Sequence, residues 1–299
     1  MTHLVDNPLA ENFANLWARR ALVAMGGDEE ELRRHTDGGV AAGERLRDRV
    51  WLPLVLCFGG GDYGAWGDWQ RAREFSDRGL ALAPRQPDLL AHRTMLEYQV
   101  GDFEQGEAHL DRLLETLSAA ATPPSAQRLG TLAIAVTGRI LGASDRFDFA
   151  VASGENIISS PSFLPSIANP ARIGLALIAV QRADAAAASE HYAALQVHRA
   201  PLAEISTDPL MGLLAQTMGD LSQAIAHFED AQAFCRNAGF RPELAWTCCD
   251  YADVLLVRNN DGDQAKAATL LDESLAISIE LGMRPLMERV LSRREILKA

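Results

Sequence analysis

The chain has 299 residues, of which 48% are apolar but only 6% aromatic, and its formal charge is −12. Lys266 and Lys298 are its only lysines, so a chain this acidic would repel a phosphate backbone, which argues against sequence-independent nucleic-acid binding. An alanine- and leucine-rich composition with little alternation of β-branched and polar residues points to helices, at a length that suits two domains or one extended array.

Residues 7–25, NPLAENFANLWARRALVAM, predict an amphipathic helix with Leu9, Phe13, Leu16, Trp17 and Leu22 on one side. A second helix is expected from Asp28 in GGDEEELRRH. Neither fits the repeat described below, so residues 1–45 are read as an N-terminal helical cap, with a partner-docking helix as the alternative. The start has no basic region followed by an apolar core, so no secretory signal is expected.

The most apolar runs are residues 50–58, VWLPLVLCF, and residues 129–142. The first is short and the second carries Arg139, whereas a membrane span needs about 20 apolar residues. Cys57, Cys235, Cys248 and Cys249 are irregularly spaced in apolar helical stretches and read as reduced thiols. A soluble, cytoplasmic chain is expected. The run FGGGDYG, 58–64, has no lysine after it and no strand before it, which favours close helix packing around Tyr63 over a phosphate loop.

From Gly67-Asp68 onward a grammar recurs: a turn, a small residue about four positions later, then larger apolar ones. Gly101-Asp102 repeats it 34 residues on with Gly106, Gly219-Asp220 with Ala224, Phe228 and Ala231, and Gly262-Asp263 with Ala267, Leu271 and Ser274. Weaker copies stand at Ser144-Asp145 with Ala150 and at Ala183-Asp184 with Ala188, Tyr192 and Leu195. Glycine suits the left-handed conformation that ends one helix, and aspartate accepts from the free N–H groups that begin the next. Each pair therefore predicts a tight helical hairpin, and the small residue lets its two helices approach closely. Residues 121–126, 159–171 and 258–263 are rich in turn formers and read as insertions that make the period irregular. One hairpin cannot bury its apolar stripe alone, so stacking follows.

These residues resemble the tetratricopeptide repeat. Gly60 and Tyr63 match its first helix, Gly67-Asp68 its turn, Ala72 its small site and Pro84 its terminating proline, while Ser76 and Gly79 depart from the expected aromatic and alanine. Ala224, Phe228 and Ala231 match again, followed by a longer turn, CRNAGFRP. The last helices and the tail MRPLMERVLSRREILKA are similar to C-terminal repeat regions of large bacterial ATP-binding regulators that carry cyclase or DNA-binding domains. The resemblance implies an all-α fold, an α-solenoid of stacked antiparallel helical hairpins in a right-handed superhelix. Residues 46–299 would form about six hairpins, irregular near 120–171, with a C-terminal capping helix.

No catalytic constellation stands out. The seven histidines make no HExxH, and His191 and His198 have no carboxylate placed to complete a metal set. Cys248 and Cys249 are adjacent, so one is expected in the core and the other toward the groove. Neither Ser144 nor Ser153 sits in a nucleophile elbow. No enzyme activity, cofactor or metal is expected.

First helices of stacked hairpins line a concave face. That register places Asp88, Met95, Tyr98 and Gln99, and later Trp246, Cys249 and Asp253, on the partner-binding side, with core packing as the other reading for Trp246. The expected function is a non-catalytic protein-protein interaction module of a bacterial signalling system, holding a protein or peptide in the groove. The alternative is an effector-sensing module that binds a small molecule and regulates a linked or partner ATPase, cyclase or DNA-binding domain. No direct nucleic-acid or membrane partner is expected, and oligomeric state stays open.

Overall fold

The computed structural model describes residues 7–25, 27–46, 51–119, 126–162, 165–197 and 207–298. Most of the 121–126 segment and His198 lie outside these ranges. The described residues form fifteen α-helices and no strand. Seven antiparallel hairpins follow one another: α1 (Pro8–Met25) with α2 (Glu29–Leu46), α3 (Trp51–Trp66) with α4 (Trp69–Leu82), and α5 (Pro87–Val100) with α6 (Phe103–Ser118). Then come α7 (Gln127–Leu141) with α8 (Phe147–Ile158), α9 (Pro165–Gln181) with α10 (Ala185–Val197), α11 (Thr207–Thr217) with α12 (Leu221–Ala238), and α13 (Arg241–Arg258) with α14 (Asp263–Leu281). A last helix, α15 (Arg284–Lys298), packs on α14. The expected α-solenoid of stacked hairpins is present. Its first unit, α1 with α2, is itself a hairpin.

The Gly-Asp turns work as their chemistry predicts at three sites. Gly67, Gly101 and Gly219 have positive φ, and the aspartate that follows each accepts from a first-turn N–H: Arg71 at 3.1 Å, Gln105 at 3.3 Å and Gln223 at 3.0 Å. The backbone N–H of the same aspartates bonds back to Tyr63, Glu97 and Ala215, which satisfies carbonyls the ending helix would leave free. Ala183-Asp184 reproduces this without glycine, Ala183 standing at φ 51 while Asp184 accepts from Ala186 and Ala187.

Two turns differ. At Gly262-Asp263 the helix has already ended at left-handed Asn259, and Asp263 lies inside α14, where it accepts from Asn260 N–H and from the Arg258 guanidinium. The carboxylate braces the loop because two extra residues separate the helix ends. At Ser144-Asp145, α7 ends on Gly142 and the Ser144 hydroxyl, not the aspartate, caps Arg146 N–H at 3.1 Å. The 159–171 segment also holds less loop than expected, since α9 begins at Pro165 and runs through Pro170. A proline tolerates the first helical position because its missing N–H has no partner there.

The small residues sit where hairpins close. Ala72, Ala188, Ala224 and Ala267 are buried, and a Cβ on Gly106 would come 2.5 Å from the Tyr98 ring. The FGGGDYG run is helical inside α3. A Cβ on Gly59 would meet Val40 at 2.8 Å, and Tyr63 is fully buried with its hydroxyl donating to Asp37 at 2.5 Å. Close packing therefore explains two of its features. Gly64 is different: a Cβ there would meet nothing within 4 Å.

In an open solenoid each repeat touches only its neighbours. Here the C-terminal hairpins return to the N-terminal ones: α13 packs on α3, α15 on α5 and α7, and α12 on α2. The closure is made partly by capping helix ends across the ring. Trp66 donates its indole N–H to the carbonyl of Ala238, the last residue of α12, at 3.0 Å, and Trp69 donates to Leu281, the last of α14, at 2.7 Å. In return Arg284, the first residue of α15, donates to the carbonyls of Val100 and Gly101 at the end of α5. Terminal carbonyls have no partner within their own helix, and a cation suits the negative end of the dipole.

Candidate functional site

The closure encloses a pocket. Helices α3, α5, α7 and α13 wall it, with α4 on a further side. The bare backbone of Gly60, Gly61 and Gly64 forms one wall, apolar side chains such as Leu96, Met95, Val136 and Ile140 form others, and Trp69 and Trp246 complete it. Large aromatic and aliphatic walls with a few polar groups are usual for small-molecule sites.

Ser76 explains its departure from the repeat pattern here. The expected aromatic would project into this space, whereas serine lines it with a buried hydroxyl that has no hydrogen-bond partner. Gly79 departs for a packing reason, since a Cβ there would lie 2.7 Å from the Leu89 methyl.

Five ionisable side chains line the pocket: Cys57, His92, Arg93, Arg139 and Glu243. Cys57 Sγ and His92 Nδ1 are 3.3 Å apart. Arg93 is matched by Glu97 and Asp77, each at 2.5 Å. Glu97 itself is buried, which would raise its pKa, but Arg73 and Arg93 override that and hold it below the ordinary carboxylate value. Arg139 pairs with buried Asp250 and lies over the Trp246 ring at 4.7 Å. Both arginines thus already face carboxylates.

Glu243 is different. It is only 9% exposed, and its Oε1 has no hydrogen-bond partner. Burial raises its pKa to about 7, with Arg139 opposing and Asp250 reinforcing the rise. It sits in the first turn of α13, one turn before Trp246 on the inward face.

Of the residues expected on the concave face, Met95, Gln99 and Trp246 meet at this pocket. Trp246 is 2% exposed and donates its indole N–H to Gln99 Oε1 at 2.8 Å. The other four lie elsewhere. Asp88 pairs with Arg128 at 2.9 Å and Asp253 with Arg293 at 3.0 Å. Tyr98 is buried against Phe103 with its hydroxyl on Glu107 at 2.7 Å, so it belongs to the core of its own hairpin.

Cys248 and Cys249 are both fully buried, so the expected division between core and groove does not hold. Helix α13 is covered on opposite sides: Gln232 of α12 donates to Cys248 Sγ at 3.1 Å, and Arg289 of α15 bonds Cys249. Burial pushes both thiols up to about 12, well away from thiolate chemistry.

Glu243, Ser76, His92 and Arg139 escaped sequence reasoning. Extending the inward stripe of α13 backward from Asp253 through Asp250 and Trp246, in steps of three and four, reaches Glu243. Nothing in the local sequence brings Ser76 or Arg139 to the same place.

Among the described residues, no three or more His, Cys, Asp and Glu are grouped to hold a metal ion, and no helix is long and apolar enough to cross a membrane. No family model matches the chain. No curated protein matches it either. Among solved structures it is similar to a tetratricopeptide repeat protein from Parabacteroides merdae, with 13% identity over 94% of this chain and 99% of that one and a TM-score of 0.44. The fold stands on the stacked hairpins themselves.

Proposed function

We propose that this chain is a non-catalytic regulatory module that senses a small molecule in the pocket between α3, α5, α7 and α13. The observation that carries the reading is Glu243, a buried carboxyl without a hydrogen-bond partner at the edge of a largely apolar cavity. A buried polar group left unpaired costs free energy that an incoming partner recovers. Because one wall is α13, occupancy would tighten the C-terminal hairpins on the N-terminal ones, and emptying would loosen them. In the setting that the regulator resemblance implies, that change would pass to a linked or partner ATPase, cyclase or DNA-binding domain.

Thermal melts against a panel of metabolites test this, since a ligand that binds only the folded chain raises Tm by mass action. At least one compound is expected to raise Tm in a dose-dependent way and to shift tryptophan emission, because Trp69 and Trp246 line the cavity. A panel that leaves both unchanged overturns the reading.

A second reading, docking of a protein partner, is supported by a different feature. Leu9, Phe13 and Trp17 form an exposed stripe on α1, with Trp17 63% exposed, and a tryptophan on an apolar stripe suits an interface anchor. Trp17→Ala should abolish partner capture without changing the melting temperature if that helix is the contact.

A further inference from the structure

The charges around the pocket carry the effector reading one step further, toward the chemistry of the ligand. Resting on that reading, we infer that the pocket takes a hydrophobic amine: an apolar carbon skeleton whose protonated nitrogen pairs with Glu243.

Three observations select a cation over an anion. First, both arginines lining the cavity are spent on carboxylates, Arg93 on Glu97 and Asp77 and Arg139 on Asp250. An incoming acid would have to compete with these carboxylates for the same guanidinium groups. Second, the group that lacks a partner is itself an acid: an amine that reaches it as the free base takes up its proton, one that arrives protonated meets the ionised form, and either way the pair is ammonium and carboxylate, which only accepts. An ammonium offers three N–H donors and a compensating charge, so it satisfies the hydrogen bond and the desolvated charge together. Third, the chain carries a formal charge of −12, which raises the local concentration of cations and disfavours anions.

The remaining polar groups set where the nitrogen goes. Gln99 Oε1 already accepts from the Trp246 indole and carries no formal charge, so it is a weaker partner for the ammonium than Glu243. Ser76, whose hydroxyl lines α4's side of the cavity, is the second unpartnered polar group, placed to receive a hydroxyl or amide farther along the skeleton. Trp69, Leu96 and Ile140 supply the apolar surface that the skeleton buries.

The test uses three probes of one size that differ in headgroup: 2-phenylethylamine, 2-phenylethanol and phenylacetate. Binding to the full chain is followed by calorimetry and tryptophan emission at a pH above about 7, where Glu243 is ionised and the amine is still protonated. A charge-assisted bond in a buried site predicts that the amine binds about tenfold or more tighter than the alcohol, and phenylacetate weakest. Glu243→Gln keeps the shape and removes the charge, so it should bring amine and alcohol within about threefold of each other while the alcohol affinity holds. A melting curve shows that the variant is folded, and retained alcohol binding shows that its pocket is intact.

Alcohol binding with no preference for the amine, or a preference that survives Glu243→Gln, overturns the inference and leaves the effector reading standing. Silence from all three probes also overturns it, and the metabolite panel then decides the effector reading on its own.

Discussion

Trp246 donates its indole N–H to the side-chain oxygen of Gln99, 2.8 Å away and 147 residues earlier in the chain. This bond ties α13 to α5 at the rim of the pocket. Gln99→Leu leaves the buried indole N–H without an acceptor, and denaturant melts should show a loss of about 1–3 kcal/mol. Combined with Trp246→Phe, the two losses should be less than additive. Strict additivity would mean that the bond is not made in solution.

The second tie across the ring is electrostatic. Asp250 is 2% exposed in its side chain and faces Arg139 as well as Arg289, the latter at 3.5 Å. Removing one partner of a buried pair strands the other charge, so Asp250→Asn should cost about 3–5 kcal/mol. Asp77→Asn is the control: that side chain is 65% exposed, and its loss should cost under about 1 kcal/mol. Equal effects would count against a buried tie.

Glu243 gives the chain a signature in pH. Its carboxyl has an ordinary value of 4.5 and is raised by burial to about 7, while Arg139 opposes and Asp250 reinforces the shift. Between these values the folded state holds the proton and the unfolded state does not. The contribution of this group therefore falls as pH rises through that window and levels off above it. Relative to Glu243→Gln, the wild type should lose roughly 3 kcal/mol from pH 4.5 to 7. Urea melts of both proteins across that range check it, and parallel curves would refute it.

The aspartates that cap the three Gly-Asp turns should behave independently. Asp68→Ala, Asp102→Ala and Asp220→Ala each remove one side-chain acceptor from a helix start and should cost about 1 kcal/mol. Asp145→Ala should change little, because Ser144 caps that turn. A cost at Asp145 equal to the others would show that the turn is built differently.

Glycine and alanine exchange in opposite directions at two positions, the turn residue Ala183 and Gly106 inside α6. Ala183 pays for a left-handed φ of 51, so Ala183→Gly should stabilise by about 1 kcal/mol. Gly106→Ala should destabilise by about 1–3 kcal/mol, since its methyl would press on the Tyr98 ring at 2.5 Å. Thermal melts that move both variants the same way would contradict the packing.

Much of the hairpin grammar was legible because it is local. Gly67-Asp68, Gly101-Asp102 and Gly219-Asp220 each complete their capping within a few residues, so a short stretch carries the whole instruction. The same reading failed at Gly262-Asp263, where two extra residues moved the helix end and handed the aspartate a different task. On the site, periodicity brought Gln99, Met95 and Trp246 to the inner face, but it could not separate them from Tyr98, whose ring turns into its own hairpin beside Gly106.

By itself, then, the sequence determined helices, their turns and their stacking, because caps and small-residue contacts act over one helical turn or one hairpin. Only the tertiary structure decided that the stack closes on itself, that Trp66 and Trp69 cap helices some two hundred residues away, and that Arg139 is matched while Glu243 is not. Closure depends on small rotations summed over successive hairpins, and a carboxyl's want of a partner depends on every group that the closure brings near it.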